Sequence, residues 1–182
     1  MAWKKGKFEG VWLFYPAVWR DDRGYFTETF NTSTLPAELQ NIVFVQDNEA
    51  QSSFGVLRGL HYQVRPNAQA KLVRCVSGKI LDVIVDIRPD SETFGQHLAV
   101  ILDDQEKAQL FVPHGFAHGY VVLSPTAIVA YKCDSHYHKN AEGGLLYNDP
   151  TLQIDWILSD QELIVSEKDS MQPLFINHLP FI

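Results

Sequence analysis

Apolar residues along this chain recur mostly at every second position, and seldom at the three-and-four spacing of a helix face. The clearest case is KLVRCVSGKILDVIVDIR, Lys71 to Arg88, where Ser77-Gly78-Lys79 supplies a turn between two alternating runs, the pattern of a hairpin. Further strand candidates are GVWLFYPAVW, GYFTETF, IVFVQDNEAQ, GVLRGLHYQ, HLAVILDD, AQLFVPHGFAHGYVVLS and AIVAYKC. So many short strands with brief breaks predict an all-β fold, an antiparallel sandwich or barrel, rather than a βαβ arrangement. Helical signals are few. Thr32 to Gln40 reads as a short helix with Pro36 in its first turn, and Ser159 and Glu162 have capping-box spacing before LIVSEKD. The last third is richer in Asp, Asn and Pro and is expected to wrap the barrel.

Length and composition narrow this picture. The chain has 182 residues, which suits one domain over 1–182 with a few short peripheral helices. A formal charge of −7 argues against nucleic acid as a partner, since phosphate-backbone affinity needs a basic face. A small anionic ligand stays open, because a few converging cations outweigh a weakly acidic surface. No apolar run is long enough to cross a bilayer, and the opening MAWKKGKFEGVW lacks the apolar core of a signal peptide. A cytoplasmic protein with no membrane partner is the expectation. Cys75 and Cys133 both sit in apolar runs, as buried free thiols do, although spacing alone leaves a disulfide open.

Several polar residues interrupt the apolar pattern. Lys71 shares a strand face with Val73 and Cys75, which is costly unless the ammonium meets an anion or the site is wet. Tyr131 shares a face with Val129 and Cys133. In GVLRGLHYQ, strict alternation places His61 with Leu57 and Gly59 and sends Arg58 the other way; a bulge at Gly59 is the device that brings both into one pocket. In VPHGFAHGY, Pro113, Gly115 and Gly119 are expected to set a tight turn that aims His118 inward. One inward histidine is ordinary, but His61, His118 and Lys71 together point to chemistry.

At these residues the sequence resembles a known family. Pro113-His-Gly-Phe-Ala-His118 has the PxGxxH form of the second cupin motif. The ordered set DDRGYFTETF, VQDNEAQSSFGVLRGLHYQ, QAKLVRCVSGKILDVIVDIRPDSETFG, VPHGFAHGYVVLS, YKCDSHY, NDP and SEKD is similar to the dTDP-4-dehydrorhamnose 3,5-epimerase family, from about Phe14 to Asp169. The resemblance implies a cupin-type jelly-roll barrel and a homodimer that shares N-terminal strands. The implied reaction inverts the two carbons flanking the ketone of dTDP-4-dehydro-6-deoxy-D-glucose, with no metal and no organic cofactor.

Roles follow position by position. His61 matches the base, since neutral imidazole is the side chain suited to removing a proton near neutral pH. Asp169 matches its carboxylate partner, which fixes the tautomer and stabilises imidazolium. Lys71 matches the cation beside the ketone oxygen, and Tyr131 the acid on the opposite face of the sugar. Arg23, Phe26, Glu28, Gln46, Asp47, Asn48, Arg58, His118, Glu142 and Lys168 match substrate contacts, and Tyr137 matches an aromatic that stacks on the nucleotide base. The chain departs from the family in DSHYHKN, where His136 precedes Tyr137 in place of a second tyrosine. It also departs from metal-binding cupins, because Gln63 stands two positions after His61 where their HxH pair needs a histidine. Inversion of one carbon only, and a non-catalytic sugar-nucleotide-binding module, are the alternative functions.

Overall fold

The computed structural model of the chain describes residues 2–182, nearly all in strands and loops. The N-terminal part forms β1 (Ala2–Lys5), β2 (Trp12–Tyr15), β3 (Val18–Asp21) and β4 (Gly24–Thr27). The central part runs through β5 (Gln46–Ser53), β6 (Val56–Gln63), β7 (Lys71–Ser77), β8 (Lys79–Asp86), β9 (His97–Asp103), β10 (Gln109–Val112), β11 (Phe116–Val122) and β12 (Thr126–Cys133). Two short strands, β13 (Glu142–Gly144) and β14 (Ile164–Val165), and one helical turn, α1 (Glu167–Ser170), complete the regular structure beside four 3₁₀ turns.

Two sheets face each other. The first has the order β1-β2-β10-β7-β12-β5 and the second β13-β6-β11-β8-β9, with β14 alongside β6; β3 and β4 pair only with each other. Between β5 and β12 every connection except β8 to β9 passes from one sheet to the other. This is the double-sheet jelly roll. It also corrects the hairpin expected around Gly78: β7 and β8 lie in different sheets, so the turn crosses the sandwich instead of folding a strand back on its neighbour. A side chain at Gly78, at φ +83, would come within 2.2 Å of the Thr126 carbonyl. Alternation identified both strands, but period alone does not say whether adjacent strands pair.

Alternation does assign the faces. Val73 and Cys75 of β7, Ile80 and Ile84 of β8, Tyr120 and Val122 of β11, and Val129 of β12 meet in one core between the sheets. The opposite face of the second sheet, with Leu81, Val83, Val85, Ala117 and Val121, is covered by Leu145, Leu152, Trp156 and Phe181 of the C-terminal segment. β8 is therefore buried on both sides, which is why it reads as an almost continuous apolar run. The C-terminal third wraps the sandwich as expected. On the outer face of the first sheet, Leu35, Leu39, Phe30 and Phe44 cover Trp12, Leu72 and Phe111.

Thr32 to Gln40 does not form one helix. It makes two 3₁₀ turns, Thr32–Thr34 and Ala37–Leu39, with Leu35 extended between them at ψ 141. The residue before a proline is driven out of the helical region, so Pro36 splits the segment. Ser159 and Glu162 do make the capping-box contact, Glu162 accepting from the Ser159 N–H at 3.0 Å and hydroxyl at 2.8 Å. The chain then enters β14, and the helical turn comes later, capped by Ser166. Both cysteines are free and buried, which closes the disulfide alternative.

Candidate active site

Because the chain changes sheet at almost every turn, residues far apart in sequence face each other across the sandwich. His61 on β6 and His118 on β11 come from the second sheet; Lys71 on β7, Tyr131 on β12, and Gln46 and Asn48 on β5 come from the first. All line one cavity of about 590 Å³, together with Arg58, Tyr137, Glu142, Lys168 and Asp169.

β6 carries the expected bulge. His61 stands opposite His118 and Arg58 opposite Tyr120, three steps along β6 against two along β11. The extra residue reverses the alternation, so His61 turns inward with Arg58 while Leu57, Leu60 and Tyr62 pack on the C-terminal segment. The backbones of Gly59 and Gly119 almost touch here: a Cβ on Gly59, at φ +132, would lie 2.5 Å from the Gly119 Cα. Gly119 thus belongs to this contact and not to a turn. The turn occupies Pro113 to Gly115, and His118 points inward by alternation with Phe116 and Tyr120. Replacing Gly59 with alanine forces backbone apart in two strands, a cost of about 3 kcal/mol. For a chain of this size that lowers the melting midpoint by roughly 10 °C. Scanning calorimetry checks this, and a shift within about 2 °C of wild type contradicts the close approach.

His61 and Asp169 form a pair. Nε2 lies 2.7 Å from Asp169 Oδ1, which leaves Nδ1 as the nitrogen with a free lone pair. Asp169 is only 4% exposed. Its burial raises the carboxyl pKa, but the hydrogen bond and charge of His61, with N–H donation from Gly59 and the Ser166 hydroxyl, outweigh it and hold the group below its ordinary value. A depressed carboxylate stabilises the fold above its unfolded pKa, and that stability is lost as pH falls through the folded value.

Lys71 is buried, and among the described residues its ammonium has no ion pair. Burial pushes its pKa below the ordinary 10.5, against the pull of Cys133, Asp82 and Asp134. Tyr131 shifts the other way: burial, then Cys133 and Tyr120, raise the phenol above 10.0 although Arg58 opposes them. The site thus presents a phenol that keeps its proton and an ammonium that parts with one more readily than a free lysine.

At the mouth, Lys168 donates to Glu142 at 2.6 Å and Tyr137 Oη donates to the other oxygen of Glu142 at 3.2 Å. Arg58 reaches in with Nε on the Ser52 hydroxyl at 3.1 Å.

Four residues matched to substrate contacts lie outside this cavity. Asp47 alternates with Gln46 and Asn48, so it turns to the other face of β5 and pairs with Lys132 at 3.0 Å. Arg23 sits in the β3–β4 turn bound to Asp21, Phe26 on β4 is 68% exposed against Trp19, and Glu28 accepts from Asn31 at 3.1 Å. Other residues of the site went unread. Asp82, 0% exposed, holds His118 Nε2 at 2.8 Å, and its second oxygen has no hydrogen-bond partner among the described residues. Its signal was present: an aspartate inside the apolar run of β8 is a buried acid, rare without a partner. Gln69, Tyr120 and Ser166 also line the cavity, and their neutral side chains in mixed sequence gave no signal; Gln63, which the sequence marked only as breaking the HxH pair, lines it as well.

Comparison with known proteins follows the same lines. The family described as dTDP-4-dehydrorhamnose 3,5-epimerase matches residues 5–177. The dTDP-4-dehydrorhamnose 3,5-epimerase of Shigella flexneri is 44% identical over 98% of both chains. Among solved structures, the dTDP-4-dehydrorhamnose 3,5-epimerase of Elizabethkingia anophelis NUHP1 superposes with a TM-score of 0.91 at 46% identity, covering 97% of each chain. The 3,5-epimerase of Legionella pneumophila Philadelphia 1, solved with dTDP-4-keto-L-rhamnose, gives 0.91 at 42% identity, over 97% of this chain and 93% of that one. With the family matched along nearly its whole length, on a jelly roll whose two sheets bring imidazole, ammonium and phenol to one cavity, this chain belongs to the dTDP-4-dehydrorhamnose 3,5-epimerase family.

Proposed function

We propose that the cavity epimerises dTDP-4-dehydro-6-deoxy-D-glucose at the two carbons flanking its ketone, giving dTDP-4-dehydro-L-rhamnose. The observation that carries this reading is the placement of His61 and Tyr131 on opposing sheets, with Lys71 between strands of the same wall as Tyr131. Inversion needs a base on one face of the sugar and an acid on the other, and this placement supplies both. His61 Nδ1 takes the proton, and Asp169 stabilises the imidazolium that forms. The electrons move onto the ketone oxygen, where the Lys71 ammonium stabilises the enolate. Tyr131, on the far wall, returns a proton to carbon from the opposite side. Arg58 faces the diphosphate, for which a guanidinium suits bidentate contact, and Tyr137 packs on the thymine. The chain acts as one unit, since residues from its last fifteen complete a cavity otherwise built on the central strands.

The same reading makes the enzyme a homodimer working on a soluble substrate in the cytoplasm. The β3–β4 hairpin joins neither sheet and exposes Trp19, Tyr25 and Phe26 beside Arg23. Such an apolar tip fits an interface. Laid across a second copy, it brings Arg23, Phe26 and Glu28 to the partner's cavity, which accounts for their distance from their own.

NMR of the product formed in heavy water tests the reaction. Two inverted, deuterated carbons are expected; one inverted carbon makes the protein a mono-epimerase, and none makes it a binding module.

Titration separates Lys71 from Tyr131. Burial moves Lys71 down and Tyr131 up from their ordinary values, so an alkaline fall in kcat is expected to follow Lys71. Lys71→Arg, which stays charged, is expected to lower kcat and to move that fall to higher pH. An unmoved alkaline limb contradicts the assignment.

A further inference from the structure

The segment Asp134–His138, which carries the departure at His136, is held by side chains at every residue. Asp134 Oδ1 accepts from the Ala70 N–H at 2.7 Å, and Gln69 Nε2 donates to the Ser135 carbonyl at 2.7 Å. Gln63 spans the next turn, Nε2 donating to the His136 carbonyl at 3.2 Å and Oε1 accepting from the His138 N–H at 2.6 Å. Gln46 Oε1 accepts from the Tyr137 N–H at 3.0 Å. Gln46 belongs to the first sheet and Gln63 to the second, so the segment is tied to both walls of the cavity. Between these anchors one side chain, Tyr137, reaches over the mouth with its ring 54% exposed.

We infer that Gln63 is a positioning residue for nucleotide recognition: it fixes Tyr137 against the thymine and takes no part in proton transfer. This rests on the reading of Tyr137 as the nucleotide contact. Gln63 is 4% exposed, and its amide uses both ends, with Nε2 also donating to the Asn67 carbonyl at 2.6 Å. Both N–H groups of this buried amide are committed and its oxygen already accepts from the loop, which leaves it no donor for a ligand or a reacting atom. What it orders is the backbone on both sides of Tyr137, which an exposed loop aromatic needs if it is to bind without first losing conformational freedom. The position that in a metal-binding cupin would hold a ligand here organises a loop.

The test uses the full chain, titration calorimetry with dTDP as probe, and steady-state kinetics with dTDP-4-dehydro-6-deoxy-D-glucose. Gln63→Leu keeps the volume and removes the amide. It is expected to weaken dTDP about tenfold, or about 1.4 kcal/mol, and to raise KM similarly, with kcat within about threefold of wild type. In the Tyr137→Ala background the same change is expected to add less than about twofold, because the group it positions is gone. Losses that multiply, or a Gln63→Leu defect confined to kcat, overturn the inference. Unchanged dTDP affinity in Tyr137→Ala overturns instead the reading of Tyr137 on which it stands. If Gln63→Leu fails to fold, Gln69→Ala, which releases only the Ser135 carbonyl, is expected to raise KM about threefold with kcat unchanged, and a kcat effect without a KM effect counts against the frame.

Discussion

Replacing His61 with asparagine is expected to lower kcat by roughly 10³- to 10⁴-fold and to abolish solvent deuterium uptake beside the ketone. Asparagine is smaller and polar, so the bulge and the cavity survive, although its amide ends short of the Nε2 position that meets Asp169; what is lost is the nitrogen lone pair. Proton removal begins the reaction at each carbon, so both inversions disappear together. Asp169→Asn makes a useful companion. It keeps the imidazole but removes the carboxylate 2.7 Å from Nε2, and is expected to slow exchange without ending it. NMR detection of deuterium at the flanking carbons reads both variants. Normal exchange in His61→Asn would remove this residue from its role.

Tyr131→Phe separates the two halves of an inversion. The change deletes one hydroxyl from a ring packed against the core between the sheets, so little else moves. His61 and Lys71 are untouched, and the enolate still forms. Without a proton donor on the far wall, His61 returns a proton to the face from which it took one. The expected outcome is deuterium uptake with retained configuration, and inversion slowed about 10²-fold more than exchange. Equal losses in the two measurements would contradict a separate acid. The buried phenol, its pKa pushed upward, fits the task of holding a proton until carbon takes it.

Strand alternation made some of this site readable. Lys71 with Val73 and Cys75, and Tyr131 with Val129 and Cys133, face inward as their period dictates, because the two strands pair without a shift over these residues, the one irregularity lying beyond Cys75 and Val129. His61 obeyed a different rule. Its inward direction depends on one extra residue in β6, and Gly59 marked the place without determining the register. Asp47 lies outside the cavity for the opposite reason: β5 is regular there, so a residue between two cavity-lining neighbours points away. Pairing between strands was the least legible feature. The turn at Gly78 has the composition of a hairpin yet crosses the sandwich, because long-range neighbours on both sides outbid the adjacent strand. Asp169 and Lys168 reach the cavity through a C-terminal path set by apolar contacts with the second sheet, and no local pattern encodes such a path.

A crystal structure of the His61→Asn variant with dTDP-4-dehydro-6-deoxy-D-glucose tests the central claim most directly. The account predicts the hexose lying between residue 61 and Tyr131, one on each face of the ring. The ketone oxygen should sit within about 3.5 Å of Lys71 Nζ, and a second copy's hairpin should bring Arg23 to the ligand. A sugar ring with both residues on the same face, or its ketone turned away from Lys71, would contradict it.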